Sequence, residues 1–186
     1  MRIIAGQYRG RKLLGPADQA TRPVTDRVKQ RIFDWLAPRL DGEVVYDCFA
    51  GTGSFGLEAL SRGARRVVFF ERHRPAIERL RRNIDTLGAS ESCELVTGDV
   101  TRLPPARWDA LPPAAVIFFD PPYRLITDGD PAMSRLLQML TTQLERGGII
   151  SIRHDANDDP PAVETLTVET VRNYGSMSNT LLARST

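Results

Sequence analysis

Four acidic residues stand where short apolar runs stop. Asp47 follows Val44-Val45-Tyr46, Glu71 closes RVVFFE, Asp99 closes CELVTGD and Asp120 closes AAVIFFD. Runs of this length, rich in β-branched and aromatic residues, are predicted as buried strands. In a parallel sheet the carboxyl ends of the strands line one crevice, so the pattern sets four carboxylates around a single ligand. Each acid taken singly also fits a solvated carboxylate at a strand end. Just past the first acid, Gly51, Gly53 and Gly56 arrive within six residues, and the stretch VVYDCFAGTGSFGLEAL reads strand, tight turn, helix. Glycines there let the backbone approach a ligand while the new helix presents its free N–H groups. Past the fourth acid come Pro121, Pro122 and Tyr123. Two prolines lack N–H groups and have restricted φ, which fixes a rigid turn with an aromatic at its end.

The elements that must position these groups follow from periodicity. Ile3-Ile4 and Leu13-Leu14 flank a glycine-bracketed turn and predict a small basic hairpin. Thr25 is a predicted N-cap for a helix running to Pro38, whose apolar face docks on the sheet and leaves Arg27, Lys29 and Arg31 toward solvent or a ligand. Further helices are predicted over Pro75–Leu87, stopped by Gly88, and over Met133–Leu144, with a fifth strand over Gly147–Arg153. Alternating buried strands and helices predict an α/β fold with a doubly wound, mostly parallel sheet. The polar stretch HDANDDPPA breaks this rhythm, and strands over Val163–Tyr174 and Ser176–Arg184 predict an antiparallel hairpin at the sheet edge. The expected organisation is a basic hairpin extension over 1–24 and one domain over 25–186.

Composition excludes several classes. A chain of 186 residues suits one domain burying roughly 70% of its unfolded surface. No apolar run approaches the roughly 20 residues of a membrane span, and no leader-like segment is evident, so a cytoplasmic protein is expected. Cys48 and Cys93 form no CxxC or Cys/His cluster, which predicts reduced buried thiols and no metal site. His73 and His154 have no nucleophile or ligand partner in the sequence and read as structural or surface residues. The net charge of +2 hides an asymmetry, because residues 1–40 carry nine basic side chains against three acidic ones. A basic end favours a polyanion, with phosphate contacts supplying affinity without sequence information. The later cluster Arg62, Arg65, Arg66, Arg72, Arg74, Arg79, Arg81 and Arg82 is equally compatible with a solvated surface.

Together, FAGTGSFG, the strand-end acids and DPPY resemble the S-adenosylmethionine-dependent methyltransferases of the Rossmann-like class whose motif is (Asp/Asn)-Pro-Pro-(Tyr/Phe). RIIAGQYRGRKL, RPVTDRVKQRIFDWL, DCFAGTGSFGLEALSRGA and FFDPPY extend the likeness over nearly the whole chain, which resembles the RsmD-like family that methylates N2 of a guanine in small-subunit ribosomal RNA. A dinucleotide dehydrogenase is the rival, since the three glycines satisfy GxGxxG and Glu71 sits 20 residues beyond Gly51. It fails because Asp47 would face a pyrophosphate and DPPY would have no role. A non-catalytic RNA-binding assembly factor is a second alternative, against which an intact DPPY and glycine turn both count.

The resemblance implies S-adenosylmethionine as cofactor and ribosomal RNA or a small-subunit particle as partner, with the protein a monomer. It implies that Asp47, Ala50, Gly51 and Gly53 hold the methionine end, Glu71 the ribose hydroxyls, and Asp99 with Val100 the adenine. It assigns Asp120 and the Pro121 carbonyl to the acceptor amine, with Pro122 rigidifying the turn and Tyr123 stacking on an extruded guanine. Arg2, Arg9, Arg11, Lys12, Arg22 and Arg27 are the expected RNA contacts.

Overall fold

The computed structural model describes residues 1–16 and 24–185. The first helix, α1 (Asp26–Leu36), is capped by Thr25, whose Oγ1 accepts from the Val28 N–H, and it buries Ile32, Phe33 and Leu36. Strand β1 (Val44–Cys48) is buried at every position, and the glycine turn hands the chain to α2 (Ser54–Ser61). Then follow β2 (Arg66–Glu71), α3 (Arg74–Leu87), β3 (Cys93–Thr97), α4 (Pro105–Asp109) and β4 (Ala114–Phe119). The Pro-Pro turn leads into α5 (Tyr123–Thr127), α6 (Pro131–Gln143) and β5 (Leu144–Asp155), and the chain closes with β6 (Leu166–Tyr174) and β7 (Met177–Arg184).

The seven strands lie in the order β3-β2-β1-β4-β5-β7-β6. The first five are parallel, while β7 runs antiparallel to both β5 and β6. The chain winds outward from β1 to β3, then restarts at β4 on the other side of β1. That reversal makes the β1–β4 junction the switch point, where parallel α/β sheets bind ligands beyond their carboxyl ends. Each face of the sheet carries its own core. Phe33, Leu36, Phe55, Leu60, Leu80 and Ile84, from α1, α2 and α3, pack on Phe69 and Phe118. Trp108, Leu136, Leu137 and Leu140, from α4 and α6, pack on Tyr46, Phe70 and Phe119.

Two expectations change. The amino-terminal hairpin forms through an antiparallel bridge between Arg2 and Lys12 and backbone hydrogen bonds of Ile3 with Arg11 and Gly10 and of Leu13 with Met1, but the pairing is too short for extended strands, and its first arm also docks on α2. Glu58 accepts from the Ile4 and Ala5 N–H groups at 2.8 and 3.0 Å, and Gln7 N–H donates to the Ser61 carbonyl at 2.8 Å. Gly6 is required there, since a Cβ would lie 1.7 Å from the Ser61 carbonyl oxygen. Ile3, fully buried, anchors the segment in the first core. Lys29, expected on the outer face with Arg27 and Arg31, is 2% exposed, while the two arginines are exposed. Its ammonium lies 3.2 Å from Glu58 and donates to the Arg2 carbonyl at 2.9 Å. Burial lowers its pKa while the Glu58 carboxylate pulls the other way.

Candidate functional site

Asp47 is the penultimate residue of β1 and is 3% exposed. Its one hydrogen bond among the described residues comes from the Gly56 N–H, 2.8 Å from Oδ2. Burial raises its carboxyl to about 7; the Gly56 donor opposes this, the charges of Asp120 and Glu71 add to it, and Arg153 opposes it. A buried acid with this balance gains most from a ligand cation that pairs with it.

The glycine turn beside it is braced from two directions. Gly53, at φ +85°, is the left-handed N-cap of α2, and a Cβ there would meet Leu80 at 2.4 Å. Ala50 donates to the Phe70 carbonyl at 3.0 Å. Glu71 reaches back from β2 to accept the Gly51 N–H at 2.6 Å, while its other oxygen accepts from the Arg72 and His73 N–H groups at 2.9 and 2.8 Å. A carboxylate offers about four acceptor sites, so Glu71 with three donors keeps one for a ligand hydroxyl. Phe49 is the one non-glycine with positive φ among the described residues, at +66°. Its ring meets Phe119 edge-on at 5.5 Å, which holds the chain in a conformation that costs about 1–3 kcal/mol and belongs to functional loops.

Asp99 lies one strand further out. It caps the turn at Val100–Arg102 by accepting from the Thr101 N–H and hydroxyl, and Arg72 donates to Oδ2 at 2.9 Å. Burial acts to raise this carboxyl, but the Thr101 hydrogen bonds and the Arg72 guanidinium outweigh it and hold it below the usual carboxylate range. Val100 is buried beneath it.

On the other side of β1, Asp120 follows β4 and meets Arg153 of β5 in a fork. Nε donates to Oδ1 at 2.9 Å and Nη2 donates to Oδ2. Pro121 is buried, Pro122 exposed and Tyr123 half-buried at the start of α5. Burial raises the Tyr123 phenol, the Arg153 cation lowers it, and Asp120 and Asp155 raise it. The fold thus gathers Asp47, Glu71 and Asp120 closely enough that each carboxylate is felt at Asp47. Asp99 stands apart on its own arginine.

Among the basic residues of the amino end, Arg2 pairs with Asp26 at 2.7 Å, and Arg9, Arg11, Lys12 and Arg27 are exposed. Arg2 and Arg9 line a cleft of about 450 Å³ with Asp26 and Gln30. Arg22 lies outside the described residues. In the second arginine cluster, Arg62 is tied to Glu58 and Asp34, Arg66 to Glu94 and Arg72 to Asp99, so much of its charge is spent internally.

Sequence reasoning missed Arg153 and the Lys29–Glu58–Arg62 cluster. For Lys29 a signal existed, because 29, 32, 33 and 36 share one helical face. Nothing in the sequence marked Arg153, since its pairing depends on β4 and β5 being neighbours.

A family model described as Conserved hypothetical protein 95 matches residues 1–183. The Bacillus subtilis protein YlbH, provisionally named an rRNA methyltransferase, is 34% identical over 94% of each chain. Ribosomal RNA small subunit methyltransferase D of Escherichia coli is 40% identical over 67% of this chain, and the match spans 61% of that enzyme. An Escherichia coli structure provisionally described as the methyltransferase YhhF superimposes with a TM-score of 0.82 at 31% identity, covering 99% of this chain and 97% of that one. An RNA methyltransferase from Salinibacter ruber, solved with S-adenosyl-L-homocysteine, shares the fold at a TM-score of 0.62 and 18% identity, covering 86% of this chain and 91% of that one. With its switch-point crevice, braced glycine turn and strand-end acids, the chain belongs to this RsmD-like methyltransferase family.

Proposed function

We propose that the protein transfers a methyl group from S-adenosylmethionine to the exocyclic N2 amine of a guanine in small-subunit ribosomal RNA. The observation that carries this reading is the placement of Asp120, Pro121 and Tyr123 across the β1–β4 switch point from Asp47 and the glycine turn. One side suits the cofactor and the other suits an acceptor.

The residues on the first side fit the cofactor. Asp47 offers a buried anion to the amino group of the methionine end, with Ala50, Gly51 and Gly53 lining it. Glu71 has one acceptor site left that would take a ribose hydroxyl, and Asp99 would accept from the adenine amine beside Arg72, with Val100 completing that end of the site. When bound, the cofactor would supply a methyl on a sulfonium, with the amine lone pair forming the N–C bond as the C–S pair returned to sulfur and the surplus proton passing to water.

The chain's work on the second side is alignment. A guanine N2 lone pair is delocalised into the ring, so the amine reacts only when it is turned toward the methyl group. Hydrogen bonds to the Asp120 carboxylate and the Pro121 carbonyl would turn it, and they strengthen as positive charge develops on nitrogen. Pro122 keeps the turn rigid, and Tyr123 would stack on the extruded base, a contact worth about 1–3 kcal/mol.

Arg2, Arg9, Arg11, Lys12, Arg22 and Arg27, around the 1–24 extension of the 25–186 methyltransferase domain, are the proposed phosphate contacts. The protein would act as a monomer in the cytoplasm. Labelled methyl transfer to naked small-subunit RNA and to small-subunit particles, both from a strain lacking the gene, tests the reading by nucleoside mass spectrometry. N2-methylguanosine is the expected product. Transfer to another base, or none on either substrate, would overturn it.

A further inference from the structure

The fork between Arg153 and Asp120 joins β5 to the acceptor turn. We propose that Arg153 is a positioning residue, fixing the Asp120 carboxylate in the orientation that receives the acceptor amine. The inference rests on the reading of Asp120 given above and adds a second residue to it.

The register explains the encounter. Phe119 pairs with Ile152 across β4 and β5, so the next position along brings residues 120 and 153 side by side. Both oxygens of Asp120 are engaged, Oδ1 by Nε and Oδ2 by Nη2. Such a fork sets the plane of a carboxylate as well as its position, which a single donor does not do. Each oxygen still has a lone pair directed away from the guanidinium, where an amine can donate.

Arg153 is itself held on its remaining sides. Its guanidinium lies 5.1 Å from the centre of the Phe55 ring, and Nη1 is 3.9 Å from the Met177 sulfur. The side chain is 15% exposed. Phe55 is the second residue of α2 and packs edge-on against Phe118 at 5.2 Å. Arg153 therefore connects the helix that follows the glycine turn to the turn that holds the acceptor.

The charge pattern points the same way. Asp47, Glu71 and Asp120 converge at the switch point, and Arg153 is the cation that acts on Asp47, Asp120 and Tyr123 together. The fork also explains why an acid stands at 120. An asparagine there would turn an NH2 group toward the guanidinium, setting donor against donor. Its carbonyl oxygen would then have to serve both Arg153 and the amine.

Steady-state methyl transfer to the RNA substrate by Arg153→Met, Arg153→Lys, Asp120→Asn and the Arg153→Met/Asp120→Asn double variant tests the proposal, with S-adenosylhomocysteine affinity measured at pH 8. Arg153→Met should lower kcat about tenfold or more while leaving both KM values within about threefold. Arg153→Lys should recover part of kcat. In the Asp120→Asn background, Arg153→Met should cost nothing further, because the group it positions has gone. A kcat within about twofold of wild type in Arg153→Met, or additive losses in the double variant, would overturn the proposal. Should Arg153→Met fail to fold, Arg153→Lys decides: a fall in kcat at constant KM supports the role, and an unchanged kcat refutes it. An Asp120→Ala variant separates the two readings. Its full activity would sink the acceptor role itself, whereas its inactivity beside an active Arg153→Met would sink only the positioning role.

Discussion

Asp47 and Glu71 are held by main-chain N–H groups and Asp120 by an arginine, whereas Asp99 combines the two, with the Thr101 N–H and hydroxyl on one oxygen and Arg72 on the other. The donors of the first pair come from the glycine turn, the helix it opens and the end of β2, so they are in place wherever the turn is. Asp120 depends on a side chain, Arg153 of the neighbouring strand, and Asp99 combines the Thr101 donors with Arg72 from the loop after β2. A main-chain donor survives every side-chain substitution except one to proline, whereas an arginine donor survives none. The proposed cofactor side is therefore built largely into the fold, while the proposed acceptor side depends on one arginine. Glu58 also combines the two, since the Ile4 and Ala5 N–H groups, the Lys29 ammonium and the Arg62 guanidinium all meet its carboxylate.

The comparison breaks most visibly at Glu58. Glu58→Ala would leave the Lys29 ammonium and two N–H groups without their carboxylate in a site where both side chains are at most 2% exposed. Loss of one partner from a buried pair costs about 3–5 kcal/mol. Urea unfolding should show a loss of that size, and a loss below about 1 kcal/mol would mean that Glu58 does not tie the amino-terminal segment and Lys29 to α2.

The next effect is smaller and depends on pH. Because the Asp47 carboxyl is raised to about 7, the free protein is protonated there at lower pH, and a ligand ammonium needs the anion. Affinity for S-adenosylhomocysteine should therefore fall about tenfold from pH 8 to pH 6, with proton release on binding in the lower range. Calorimetry in two buffers of different ionisation enthalpy reads this directly. In Asp47→Asn the affinity should be weak and nearly independent of pH over the same interval.

The smallest effect belongs to the outermost pair. Arg72 is 63% exposed beside Asp99, and exposed ion pairs contribute about 0–1 kcal/mol. Arg72→Met should change cofactor affinity by no more than about threefold. A tenfold change would mean that Arg72 touches the cofactor itself.

The sequence and the fold agree where local chemistry decides. The glycine turn, the strand-end acids and the DPPY turn were legible because glycine, proline and apolar runs specify backbone over a few residues. Helix α1 and its Thr25 cap were legible for the same reason. Lys29 went the other way, since reading it as a charge placed it outside although its spacing from Ile32, Phe33 and Leu36 puts it inside. The short helix α4, which buries Trp108, lies in a proline-rich stretch with too few residues to show a period. Ile3-Ile4 and Leu13-Leu14 look like strands locally, and Ile3 and Leu13 do pair across the hairpin, yet Ile4 donates to Glu58 of α2 and Leu14 to Asn83 of α3, partners more than fifty residues away. Arg153 is the extreme case, because its contact with Asp120 exists only once β4 and β5 are adjacent.

The central claim is that the switch point divides cofactor binding from acceptor chemistry, and Asp120→Ala with Tyr123→Ala tests it most directly. Each variant should bind S-adenosylhomocysteine within about threefold of wild type while kcat for methyl transfer to RNA falls about tenfold or more. Wild-type transfer by both variants, or a loss of cofactor affinity matching the loss of rate, would contradict it.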